Sequence, residues 1–157
     1  MAKDKITVVG AGNVGATTAH IAATRRLGEI VLLDIVKGLA QGKALDMAEA
    51  SGLYGSEQRI VGTTDWSAAA GSDVVIVTSG VPRKPGMSRD DLLATNANIV
   101  KSVSQQIAAH CPDAFVIVVC NPLDAMVYAV AKTTGFPQRR IVGMAGALDS
   151  ARFCYFL

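Results

Sequence analysis

Short β-branched runs alternate with helix-length segments along this chain, and few folds accept that order. KITVVG (5–10) leads into NVGATTAHIAATRRLG (13–28). There Val14, Ala19, Ile21 and Ala22 can share one helical face, with Gly28 as the stop. EIVLLD (29–34) is apolar at successive positions, as in a strand buried on both faces of a parallel sheet. GLAQGKALDMAEASG (38–52) reads as a second helix and RIVG (59–62) as a short third strand. DVVIVTSG (73–80) is a fourth strand, a long helix follows from about Arg89 to His110, and AFVIVVCN (114–121) is a fifth. DAMVYAVAKTTG (124–135) is a further helix, and RRIVGM (139–144) supplies a sixth strand. Right-handed crossovers between such strands predict one six-stranded parallel sheet with helices on both faces, an α/β architecture.

Three classes of function are excluded by composition. The formal net charge is +2, and no basic run is longer than Arg25–Arg26 or Arg139–Arg140, so no nucleic-acid partner is expected. The longest apolar stretches fall far short of the roughly 18 residues of a membrane span, so no membrane partner is expected either. Cys111, Cys120 and Cys154 form no CxxC and no metal-like spacing, so no metal site is expected. They read as reduced thiols filling the core of a cytoplasmic protein. The start, MAKDKITVVG, enters a strand at once and leaves no room for a signal peptide.

Gly10, Gly12 and Gly15 cluster in GAGNVG, after the first strand and at the opening of the first helix. Each glycine costs folding entropy, so the cluster marks a close approach to the backbone. Gly10 would make the tight turn, Gly12 would admit a pyrophosphate, and Gly15 would let helix and sheet close up. The free N–H groups and the helix dipole favour an anion there. Asp34 ends the second strand nineteen residues after Gly15, where a carboxylate accepts hydrogen bonds from the adenosine ribose hydroxyls. This spacing is the fingerprint of a Rossmann dinucleotide-binding domain. It favours NAD over NADP, because a carboxylate repels a 2′-phosphate. A glycine loop used only for turning, with Asp34 capping a loop, is the plainer alternative.

Other candidates lie where strands end, since ligands of such sheets bind beyond the carboxyl edge. In TSGVPRKPGMSRDDLL, Ser88 and Asp91 have capping-box spacing, so a helix begins near Arg89. Arg83 then sits in a loop and Arg89 in a first helical turn, where the dipole disfavours a cation. Read alone, each is equally a solvated charge. Asn121, before Pro122, is placed either to meet a ligand or to make a turn. Asp149 and Arg152 are three apart, as in a surface ion pair.

In chain order, GAGNVG, VLLD, GKALDM, TSGVPRKPGMSRDDLL, NPLDAM and LDSARF resemble the lactate and malate dehydrogenase family over the whole chain. The likeness is to its bacterial, lactate-dehydrogenase-like malate branch. The resemblance implies that Gly10, Ala11, Gly12, Asn13, Val14, Gly15 and Asp34 hold NAD. It implies that Asn96, Val119, Cys120 and Asn121 meet its nicotinamide half, and that Asn121 also touches substrate. Arg89 would polarise the substrate carbonyl from a mobile loop, and Arg152 would grip the common carboxylate. Arg83 would pair with a second carboxylate, selecting oxaloacetate and malate over lactate. Asp149 would orient a catalytic histidine. A cis Asn121–Pro122 bond is implied too, and a homodimer or homotetramer with the GKALDMAEA helix at one interface.

That histidine has no match here: His20 and His110 are the two histidines, and neither lies in the family's Gly-His-Gly motif. Residues 1–145 therefore read as the NAD-binding domain and 146–157 as the start of a truncated catalytic domain. The chain as written is expected to bind NAD weakly, to be inactive alone and to associate through exposed apolar surface. Two other readings compete. Tyr128 and Lys132 form the YxxxK of short-chain dehydrogenases, but the glycine pattern and a missing serine count against it. An NAD-binding module without turnover is the second, against which the three retained arginines argue.

Overall fold

The computed structural model describes residues 4–83 and 85–157. The strands are β1 (Lys5–Val9), β2 (Glu29–Leu33), β3 (Ile60–Thr63), β4 (Val74–Val77), β5 (Phe115–Val118) and β6 (Ile141–Gly143). The helices are α1 (Asn13–Thr24), α2 (Leu39–Ala50), α3 (Arg89–His110), α4 (Leu123–Thr134) and α5 (Gly146–Phe156). All five strand pairs are parallel, in the order β3-β2-β1-β4-β5-β6. The order reverses between β1 and β4, which opens a crevice beyond their carboxyl ends. The expected α/β sheet is therefore present.

Side-chain alternation along the strands divides the core into two layers. Ile6, Val8, Ile30 and Leu32 pack with Ala19, Ala22, Ala40 and Met47 under α1 and α2. Val9, Leu33, Val75, Val77, Val116 and Val118 face the other way, onto Val100 and Ile107 of α3 and Met126 and Val130 of α4. Valine and isoleucine fill both faces because a covered parallel sheet offers no wet side.

α1 departs from the expected face. Ala19 and Ala22 are buried with Gly15 and Ala23, but Val14 is 57% exposed and Ile21 is 49% exposed. The helix lies so close to the sheet that only small side chains fit between them. A Cβ on Gly15 would overlap the Gly10 carbonyl oxygen. Gly28 is not the helix stop either. The left-handed residue is Arg26, at φ 57°, and Gly28 is required because a Cβ there would overlap the Asp4 carbonyl oxygen.

α3 starts at Arg89 behind the expected capping box. The Ser88 hydroxyl accepts from the Asp91 N–H at 3.0 Å, and the Asp91 carboxylate accepts from the Ser88 N–H at 3.1 Å. The Ser88 hydroxyl also holds the Asp91 carboxyl below its ordinary range. The Asn121–Pro122 peptide is cis. Cys111 and Cys120 are buried free thiols, as expected, whereas Cys154 is exposed. It stands on α5, a helix that buries none of its residues and presents Phe153, Tyr155 and Phe156 to solvent. Among the described residues, no helix is long and apolar enough to cross a membrane and no cluster of metal-ligating side chains occurs.

Candidate dinucleotide-binding cleft

β1 ends at Val9, and Gly10 turns the chain at φ 104°, a backbone state open to glycine and strained for other residues. Gly10 is also crowded: a Cβ would come within 2.9 Å of the Ser79 nitrogen. Thr78 straps the turn from β4, its hydroxyl donating to the Val9 and Gly10 carbonyls at 3.0 and 3.1 Å. Gly12 is the N-cap of α1 with an ordinary φ of −65°, and a Cβ there would meet nothing within 4 Å. Its glycine is thus not demanded by the chain's own backbone or packing. It keeps open the space in front of the first free N–H groups of α1.

Two cavities of about 410 and 380 Å³ meet at this loop. Gly12, Thr78, Gly80 and Val81 line both. The first continues past Asn13, Val14 and Gly15 to Asn96, Val119, Cys120 and Asn121. The second runs between Asp34, Ile35, Val36 and Leu39 on one side and Trp66, Ile99 and Val103 on the other. Asp34 is half-buried at its mouth, and its carboxylate accepts from the Ala11 N–H at 2.6 Å and the Val36 N–H at 2.9 Å. Those bonds fix its orientation and leave further lone-pair sites for hydroxyl donors.

The donor set fits a dinucleotide. An apolar slot ends in a fixed carboxylate, a helix N-terminus lies at the middle, and an amide-lined pocket lies beyond. The buried Ser79 hydroxyl oxygen in the cleft floor has no partner among the described residues, as expected of a polar group that a ligand or water satisfies.

Asn96 lines the first cavity and also braces it. It is 2% exposed, and its side chain bonds backbone on two loops. Its Oδ1 accepts from the Val81 N–H at 2.8 Å, while its Nδ2 donates to the Asn121 carbonyl at 2.7 Å and the Val81 carbonyl at 3.2 Å. It staples the nicotinamide-side pocket together. Burial pushes the Cys120 thiol up to about 11, so this lining residue is a neutral thiol.

The arginines are not gathered around the cleft. Arg83 donates to the Met87 carbonyl at 3.0 Å within its own loop. Arg89 is exposed at the first position of α3. Arg152 pairs with Asp149 at 3.2 Å, both side chains well exposed, which is the surface pair that spacing alone allowed. None of these four residues lines either cavity. His20 packs edge-on against Tyr54, and His110 stacks on Trp66. Tyr128 is 62% exposed with the Lys132 ammonium over its ring, a helix-surface pair and no YxxxK site.

Residues 4–143 match the NAD-binding domain of lactate/malate dehydrogenases. The chain belongs to the lactate/malate dehydrogenase family. It is 56% identical over all 157 residues to a malate dehydrogenase of Caulobacter vibrioides, of which it covers 49%. It superposes on the apo malate dehydrogenase of Picrophilus torridus with a TM-score of 0.96 and 48% identity, covering 99% of this chain and 50% of that one. A lactate dehydrogenase of Cryptosporidium parvum, solved with lactic acid and NAD, gives 0.94 and 43%, covering 99% of this chain and 49% of that one. The chain spans about half the length of the curated relatives it matches.

For a dehydrogenase NAD-binding domain, the cleft contains residues that motif reading passed over. Thr78 and Ser79 could have been found from their place at the end of β4. Trp66 could not, because it comes from a 3₁₀ turn (Trp66–Ala69) that joins the cleft through tertiary packing. Lys43 of α2, whose ammonium reaches the Ala11 carbonyl at 2.7 Å, was equally hidden.

Proposed function

We propose that this chain is the NAD-binding half of a malate dehydrogenase, interconverting malate and oxaloacetate. The observation that carries this reading is the convergence of the Gly10–Gly15 loop, Asp34 and the Asn121 turn on one cleft at the β1/β4 switch point. Residues 1–145 form the cofactor domain and 146–157 begin the catalytic one. NAD, when bound, supplies or takes the hydride at its nicotinamide ring. The chain's own groups do the rest. Asp34 accepts the adenosine ribose hydroxyls. The N–H groups of Gly12, Asn13 and Val14 face the diphosphate, aided by the helix dipole. The turn Val119–Asn121, stapled by Asn96, shapes the nicotinamide pocket, and the Asn121 amide meets the substrate oxygen.

Arg83 and Arg152 take the two carboxylates of the dicarboxylate as charge-assisted forks. Arg89 polarises the reacting carbonyl. All three are exposed and lie outside the two cavities, Arg83 on a loop and Arg89 and Arg152 on α3 and α5, so these roles require the segments that carry them to move toward bound substrate. Asp149 orients a histidine that this chain does not contain. The complete enzyme is a cytoplasmic homodimer or homotetramer with α2, whose Leu45 is 60% exposed, at one interface.

Substrate choice is tested in a chimera of this chain with the second half of the Caulobacter vibrioides relative. Arg83→Gln is expected to shift the ratio of kcat/KM for oxaloacetate over pyruvate by about 2–4 kcal/mol toward pyruvate. An unchanged ratio removes Arg83 from the site. The second reading is an NAD-binding module without turnover, favoured by the packing of both histidines outside the cleft. NADH that binds more tightly with oxaloacetate present contradicts it.

A further inference from the structure

Ala11 is wholly buried, and charged side chains hold both of its backbone polar atoms. The Asp34 carboxylate takes its N–H at 2.6 Å, and the Lys43 ammonium donates to its carbonyl at 2.7 Å. The two side chains come from different elements, the end of β2 and the middle of α2. Lys43 is half-buried, with one of its three donors committed to this bond. The peptide unit that carries the Ala11 carbonyl also carries the Gly12 N–H, and in a trans peptide the two point in opposite directions. Fixing the carbonyl toward α2 therefore aims the Gly12 N–H the other way. Gly12 lines both cavities, and its N–H has no partner among the described residues.

We propose that Lys43 is a positioning residue for the cofactor diphosphate, holding the Ala11–Gly12 peptide so that the Gly12 N–H points into the cleft. This rests on the NAD reading above and adds to it a residue that touches no ligand. Without the ammonium, the peptide can rotate and turn the Ala11 carbonyl oxygen toward the anion. A carbonyl oxygen repels a diphosphate, whereas an N–H binds it. The positive charge at the oxygen end also polarises the peptide and strengthens its N–H as a donor.

The single tryptophan, Trp66, lines the adenosine-side cavity and reports binding by its fluorescence. Wild-type chain, Lys43→Met and Lys43→Arg are titrated with NADH, ADP-ribose and adenosine. Methionine keeps the length of the stem and removes the charge. Losing one charge-assisted bond at the loop is expected to weaken NADH and ADP-ribose by the same factor, about tenfold. Adenosine, which has no diphosphate, should stay within about twofold, and arginine should restore most of the loss because it still donates to a carbonyl. Unchanged ADP-ribose affinity in Lys43→Met overturns the proposal. So does an equal loss for adenosine, which would mean general damage to the loop. If Lys43→Met fails to fold, Lys43→Gln carries the same comparison. A wild-type chain that binds neither NADH nor ADP-ribose refutes the NAD reading itself.

Discussion

Assayed by itself with NADH and oxaloacetate, the 157-residue chain is expected to oxidise no measurable NADH. Reduction of the keto group needs a proton at the new hydroxyl as hydride arrives. A positioned acid contributes typically about 10²–10⁴-fold to such a step. Neither histidine can serve. His110 closes the far end of α3, roughly 33 Å along the helix from Arg89 at about 1.5 Å per residue, and stacks on Trp66, which lines the Asp34-side cavity and not the one lined by Asn121. His20 is edge-on against Tyr54 at 5.7 Å and lines neither cavity. Positioning is lost as well. Arg83, Arg89 and Arg152 are exposed and line neither cavity, and a well-held substrate can gain about 7–11 kcal/mol. The check is the absorbance of NADH over time, on protein whose mass is verified. Turnover at an ordinary dehydrogenase rate would mean that a proton donor inside this sequence has been overlooked.

Two glycines of one motif should fail in opposite ways. In Gly15→Ala the new methyl overlaps the Gly10 carbonyl oxygen and comes within 2.6 Å of the Thr78 hydroxyl. Both are backbone or strapped to backbone at the ends of β1 and β4, so neither can yield. The expected cost is about 3 kcal/mol, a fall in Tm of roughly 10 °C, from overpacking between helix and sheet. Gly12→Val places its side chain where nothing of the chain stands. It is a poorer N-cap, at a cost of about 1 kcal/mol. NADH affinity, by contrast, should fall by at least about 100-fold, because the side chain would fill the space proposed for the diphosphate. Thermal melting and NADH titration on both variants separate the two roles. Unaltered NADH binding in Gly12→Val would show that no diphosphate sits there.

The six strands and their parallel sheet could be read from the sequence because buried parallel strands declare themselves as runs such as EIVLL and VVIV, each bounded by turn residues. Ser88 and Asp91 located the start of α3 to the residue, since both partners of that cap lie three positions apart. What depended on separation in the chain was not legible. The sequence did not show that the Asn96 amide bonds Val81 and Asn121, 15 and 25 residues away. Lys43 meets Ala11 across 32 residues. Apolar periodicity put Val14 and Ile21 on one helical face with Ala19 and Ala22. Gly15 and the alanines hold α1 so tightly to the sheet that larger residues must face outward. Periodicity identifies an apolar stripe, but the closest approach of backbones decides which stripe is buried.

The NAD assignment is most directly tested by titrating NADH and NADPH in parallel into the unmodified chain, followed by Trp66 fluorescence. Asp34, held by the Ala11 and Val36 N–H groups, has its carboxylate fixed at the mouth of the adenosine slot. In the NAD reading it would accept from a ribose diol and repel a 2′-phosphate. NADH should bind at least about tenfold more tightly than NADPH, and Asp34→Ser should narrow that gap. Equal binding of the two cofactors, or binding of neither, would contradict the assignment of this cleft to NAD.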